Sequence, residues 1–116
     1  MIRLFIRLPE FEKQCKSIGL NEDDVTKIEL TLLGNPTVGD LIKGTGGIRK
    51  VRIPIQNRGK SGGARVIYVD FAYYERIYLI TVYEKSVTDD LSKSEKNELK
   101  VLVKVLEAEL RKRGIK

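Results

Sequence analysis

The sequence predicts an α+β fold. Two N-terminal helices and a C-terminal helix pack on one side of a small, mostly antiparallel sheet, made of one N-terminal strand plus a three-stranded meander. Three observations lead to this expectation. Ile2, Leu4, Ile6 and Leu8 alternate with Arg3, Phe5 and Arg7, the period-two pattern of a strand with one buried face. Three later runs rich in β-branched residues, about 48–55, 64–72 and 76–85, are separated only by residues 56–63 and 73–75. Apolar residues elsewhere recur at helical spacing between recognisable start and stop signals. With 116 residues the chain can build one ordinary core and not two, so residues 1–116 are expected to form a single domain.

Each element has a local cause. Pro9 ends the first strand and suits the first turn of a helix over about 9–17, which places Phe11, Cys15 and Ile18 on one face before Gly19 closes it. Asn21 is a helix N-cap, and Glu22, Asp23 and Asp24 lie in the first turn, where the helix dipole favours negative charge. Val25, Ile28, Leu32 and the aliphatic stem of Glu29 form the inward stripe, and Gly34-Asn35-Pro36 stops the helix. Residues 34–47 read as a turn region that leads into the meander. Ser92 and Glu95 have capping-box spacing, and Leu99, Leu102, Val103, Leu106 and Leu110 then recur helically up to Gly114. Val101, Val105 and Ala108 widen that apolar surface, as deep burial on the sheet or a docked protein would require.

Composition excludes several kinds of chemistry. Apolar content of 41% and charged content of 33% describe a soluble globular protein rather than a disordered or fibrous one. The N-terminal apolar run is broken by Arg3 and Arg7 and carries no cleavage site, so a signal peptide, a membrane span and a membrane partner are not expected, and a cytoplasmic location is. With one cysteine and no histidine there is no internal disulfide, no Cys-His or Ser-His-Asp machinery and no ordinary zinc ligand set. Neither a metal nor another cofactor is expected. Chemistry must run on Lys, Arg, Tyr, Asp, Glu or backbone groups.

The charge is localised. Between Asp40 and Asp70 lie 29 residues with seven cations (Lys43, Arg49, Lys50, Arg52, Arg58, Lys60 and Arg65) and no Asp or Glu, while the rest of the chain carries 15 basic and 16 acidic residues. Essentially the whole net charge of +6 sits in that block, which points to a polyanionic partner. Period two puts Val51, Ile53 and Ile55 on one face of their strand and Lys50 and Arg52 on the other. Arg65 starts the next strand and Lys85 ends the one after it, so a meander can gather all four at one end or face of the sheet, with Tyr83 on the side of Lys85. Arg58 and Lys60 ride on the glycine-rich stretch between the first two of these strands, and Lys43 and Arg49 complete a basic set that would suit a phosphodiester backbone.

Two bland explanations compete. Alternating cations on an antiparallel sheet are often no more than a solvated face, although 29 residues without a compensating carboxylate favour function. Tyr68, Tyr73, Tyr74, Tyr78 and Tyr83 could stack on bases, yet strand tyrosines are more often core or edge residues. Gly44-Thr45-Gly46-Gly47 is no phosphate-binding loop, since no Gly-Lys-Ser/Thr follows at the required spacing.

Three ordered segments, Gly44-Thr45-Gly46-Gly47-Ile48-Arg49-Lys50-Val51-Arg52, Gly62-Gly63-Ala64-Arg65-Val66-Ile67-Tyr68 and Leu79-Ile80-Thr81-Val82-Tyr83-Glu84-Lys85, together resemble the core of RelE/HigB toxins. Specifically, they resemble the HigB-like branch of the RelE/ParE superfamily. The resemblance implies a toxin of a type II toxin-antitoxin system, an endoribonuclease that cuts messenger RNA in the ribosomal 30S A site and stops translation. Its implied partners are the ribosome, mRNA and a cognate antitoxin, expected to be a helix-turn-helix protein encoded alongside. It also implies metal-independent attack of a ribose 2′-hydroxyl on the adjacent phosphate.

On that resemblance the catalytic set is Lys50, Arg52, Arg65, Lys85 and Tyr83, with Arg52 and Arg65 as electrostatic clamps on the phosphate. A lysine crowded by like charges releases its proton more readily, which makes Lys50 and Lys85 the candidate proton carriers. Leu91 stands near the position of a late tyrosine in some RelE enzymes, and Glu84 replaces a usual glycine. Catalysis then relies on Lys85 with help from Tyr83, or draws on the ribosome's own RNA. A non-catalytic RNA-binding module and a ParE-like gyrase inhibitor of the same fold remain the alternatives.

Overall fold

The computed structural model describes residues 2–55, 63–84 and 91–114. In chain order the elements are β1 (Leu4–Arg7), α1 (Pro9–Ser17), α2 (Glu22–Gly34), β2 (Asp40–Leu41), β3 (Ile48–Ile53), β4 (Ala64–Phe71), a single 3-10 turn (Ala72–Tyr74), β5 (Arg76–Glu84) and α3 (Lys93–Lys112). The strands form a sheet of order β1-β5-β4-β3-β2, in which β1 runs parallel to β5 and every other pairing is antiparallel. The α+β class is as expected. The turn region over 34–47, however, also contains the two-residue strand β2, too short to leave a period-two signature.

Helix starts follow their caps. Asn21 and Asp24 exchange side-chain and backbone hydrogen bonds at the start of α2, and Ser92 and Glu95 do the same at the start of α3. Glu29 holds Arg7 at 3.0 Å rather than serving only as an apolar stem.

The helices do not share one side of the sheet. Phe11, Cys15, Val25, Ile28 and Leu32 of α1 and α2 pack with Ile53, Ala64, Val66, Tyr68, Ile77, Leu79 and Val82 on one face. Val103 and Leu110 of α3, with Leu99, Leu102 and Leu106, pack with Ile48, Ile67, Val69, Tyr78 and Ile80 on the other. The expectation of helices on one side is therefore corrected to a sheet covered on both. Val66-Ile67-Tyr68-Val69, buried without a break, shows why: a strand covered on both faces has no polar side to alternate with.

The sheet edges are tied down by polar contacts. Arg3 meets Asp70 through two hydrogen bonds of 2.7 and 3.2 Å, both side chains nearly buried. Tyr68, wholly buried, donates its hydroxyl to the Pro36 carbonyl at 2.8 Å and accepts the Gly39 N–H at 3.0 Å. Gly39 is required there, since a Cβ would lie 2.8 Å from the Lys50 carbonyl oxygen.

Candidate functional site

Cross-strand register assembles the site. Arg52 on β3 lies opposite Arg65 on β4, and Arg65 lies opposite Tyr83 on β5, so the three residues form one row across three strands. Directly paired residues share a face. The next row on that face is Lys50, Ile67 and Thr81, followed by Ile48, Val69 and Tyr78. The last of these rows belongs to the core beneath α3, and Ile67 joins it from the middle row. Lys50, Arg52, Arg65 and Tyr83 therefore stand on the α3 face, at the end of the sheet where β3 and β5 finish and β4 begins.

Two local features aim this row. The β4-β5 register shifts between Ile67 and Tyr68, where Ile80 is inserted on β5. A bulge reverses the alternation of the bulged strand, so Tyr83 shares a face with Tyr78 although the two are an odd number of positions apart. Gly63, just before Arg65, has φ +158°, and a Cβ on it would come within 3.2 Å of the Ile53 carbonyl oxygen and 3.7 Å of the Arg52 Nε. The tight contact is the one with the Ile53 carbonyl, so glycine lets the chain entering β4 pass close against β3.

Two arginines meet directly in this row. Placing arginines directly opposite each other destabilises a strand pair, and guanidinium cannot relieve the repulsion by losing a proton. An anion between them would. Arg52 is exposed, whereas the Arg65 Nε and the Tyr83 hydroxyl oxygen are shielded from solvent. Asp40, which bounds the acid-free block, is the cross-strand partner of Lys50 through β2. This carboxylate beside Lys50 could not be read from the sequence.

Other named residues fall elsewhere. Arg49 pairs with Tyr68 on the opposite face and donates to the carbonyls of Gly39 at 2.7 Å and Thr37 at 3.3 Å. Its parity with Val51 would have signalled that placement. Lys43 is exposed in the turn before β3. Arg58, Lys60 and Lys85 lie outside the described residues. Among the tyrosines considered for base stacking, Tyr68, Tyr74 and Tyr78 are core residues, and Tyr73 is 75% exposed. Val101 and Val105 remain about 60% exposed on the outward side of α3 rather than buried.

The described residues also form two concavities, a space of about 240 Å³ lined by Phe11, Cys15, Leu20 and Val25 and a groove of about 360 Å³ between β1 and the C-terminal half of α3. Neither is lined by a residue of the row. No helix among the described residues is long and apolar enough to cross a membrane.

The fold is that of a known toxin. It is similar to the structure of a free-state mutant of E. coli toxin RelE with two arginines replaced by alanine, at 15% identity and a TM-score of 0.52, over 71% of this chain and 82% of that one. The E. coli DinJ-YafQ toxin-antitoxin complex also matches, at 12% identity and a TM-score of 0.37, over 78% of this chain and all of the matched chain. Residues 6–114 match the model of the RelE toxin of the RelE/RelB toxin-antitoxin system. The chain belongs to the RelE toxin family.

Proposed function

We propose that this chain is a ribosome-dependent endoribonuclease that cleaves messenger RNA in the A site, in the manner of the HigB-like branch. The cross-strand row Arg52-Arg65-Tyr83, with Lys50 in the next row, carries the proposal. Two forked guanidinium groups on a rigid sheet can grip the oxygens of one phosphodiester and stabilise the charge that builds on its pentacovalent intermediate. The adjacent ribose 2′-hydroxyl is the nucleophile; its oxygen bonds to phosphorus as the 5′-oxygen departs, leaving a cyclic phosphate and a free 5′-hydroxyl. One group must take the 2′ proton and another must supply one to the leaving oxygen. Lys50, Tyr83 and Lys85 are the proposed carriers, and Lys43, Arg49, Arg58 and Lys60 are proposed RNA contacts outside the reacting row.

The protein would work in the cytoplasm as one domain. It would be held inactive by a cognate antitoxin that covers either the basic face or α3. Brief induction followed by primer extension on translated messages is expected to reveal new 5′ ends inside codons. Arg65→Ala should abolish them, and Arg65→Lys, which keeps the charge but loses the fork, should restore only a small part. Intact transcripts during growth arrest would overturn the reading.

A further inference from the structure

The charges of α3 are sorted by side. On a wheel of about 100° per residue centred on the buried Val103, one flank carries Lys93, Lys96, Lys100, Lys104 and Arg111, with the single carboxylate Glu107. The other flank carries Glu95, Glu98 and Glu109 with Arg113.

Neighbouring residues fix how the flanks face. A Cβ on Gly46 would touch Val103 and Lys100, so the basic flank looks toward the turn that carries Lys43 and leads into β3. Leu106, Glu109, Leu110 and Arg113 instead line the groove beside Leu4, Ile6, Arg76 and Tyr78. Arg76 and Leu4 mark the end of β5 remote from Tyr83. The first half of α3, with Lys93, Lys96 and Lys100, therefore lies toward the row of Arg52, Arg65 and Tyr83. Lys43, Lys50 and Arg52 bridge the interval, tempered by Asp40.

We infer that this basic flank of α3 is a second nucleic-acid site, which binds the backbone of double-stranded RNA next to the cleavage row. The inference rests on the RNA reading of the proposed function and deepens it. Lys93 to Lys104 span about 16 Å of helix, long enough to follow several successive phosphates along one strand of a duplex. Single-strand binders need aromatic platforms for unstacked bases, and this flank has none. Cations held on a 20-residue helix suit a paired backbone, which is recognised by its shape and its phosphates.

The test is a fluorescence-anisotropy titration of the full chain with a blunt RNA duplex of about 20 base pairs, across a range of salt. Replacing Lys96, Lys100 and Lys104 together by Gln should weaken binding about tenfold or more. It should also reduce the slope of log affinity against log salt by about 2 to 3, at roughly 0.9 for each phosphate that is no longer neutralised. The same three positions changed to Arg should bind as wild type, which separates charge from folding. Unchanged affinity and slope in the Gln variant overturn the inference, as does a loss confined to an acidic protein partner. The two proposals fail separately. Message cleavage with an unmoved salt slope removes only the duplex site, whereas reduced duplex affinity in a protein that cuts nothing removes only the ribonuclease.

Discussion

Arg65 on β4 faces Tyr83 on β5 because Ile80 is bulged out of the ladder between them and the Tyr78 row. Had β5 run without that insertion, Val82 would occupy the α3 face and Tyr83 would point to α1 and α2. The proposed cleavage depends on this juxtaposition of Arg65 and Tyr83.

If Tyr83 takes part in proton transfer, Tyr83→Phe will keep the ring packed under α3 while slowing message cleavage by about 100-fold or more. Thermal unfolding should change little. Single-turnover cleavage on programmed ribosomes measures it, and a wild-type rate would remove Tyr83 from the reacting groups.

The Arg3-Asp70 pair is nearly buried and fastens residues before β1 to β4. Asp70→Ala leaves a guanidinium without its carboxylate and should cost about 3–5 kcal/mol in urea unfolding. Arg3→Met combined with Asp70→Leu should recover most of that loss. A double variant no more stable than Asp70→Ala would show that the pair does more than neutralise itself.

Tyr68 pins the turn before β2 through Pro36 and Gly39. Tyr68→Phe strands a buried N–H and carbonyl and should destabilise by about 1–3 kcal/mol. An unfolding midpoint equal to wild type would mean that Arg49, which also holds Gly39, is sufficient for the turn.

Alkaline stability should depend on Cys15. Burial pushes its thiol up from 9.0 to about 11, against a smaller opposing pull from Arg7. The folded state therefore holds its proton more tightly than the unfolded chain does. The stabilisation is complete below pH 9 and is lost as pH rises through about 11, by up to about 3 kcal/mol. Tyr68 and Tyr78, also raised by burial, add to the loss at higher pH. Urea midpoints measured from pH 8 to about 11 should fall more gently in Cys15→Ala than in wild type; parallel curves would refute the assignment.

Element boundaries were legible because their causes are contiguous. Pro9, the Asn21-Asp24 and Ser92-Glu95 boxes, and the β-branched runs around Val51, Val66 and Ile80 act within a turn or two of themselves. The acid-free block around Lys50, Arg52 and Arg65 was legible for the same reason. Adjacency in space was decided elsewhere. The strand β2, which sets Asp40 beside Lys50, needs a partner strand to exist at all. The bulge at Ile80 has no glycine to announce it, yet it decides where Tyr83 points. Placement of α3 on the opposite face depends on β4 having two apolar sides, and it puts the helix on the same face as the row. Local chemistry chose the elements and supplied the cations; pairing between distant segments chose which of those cations share a surface.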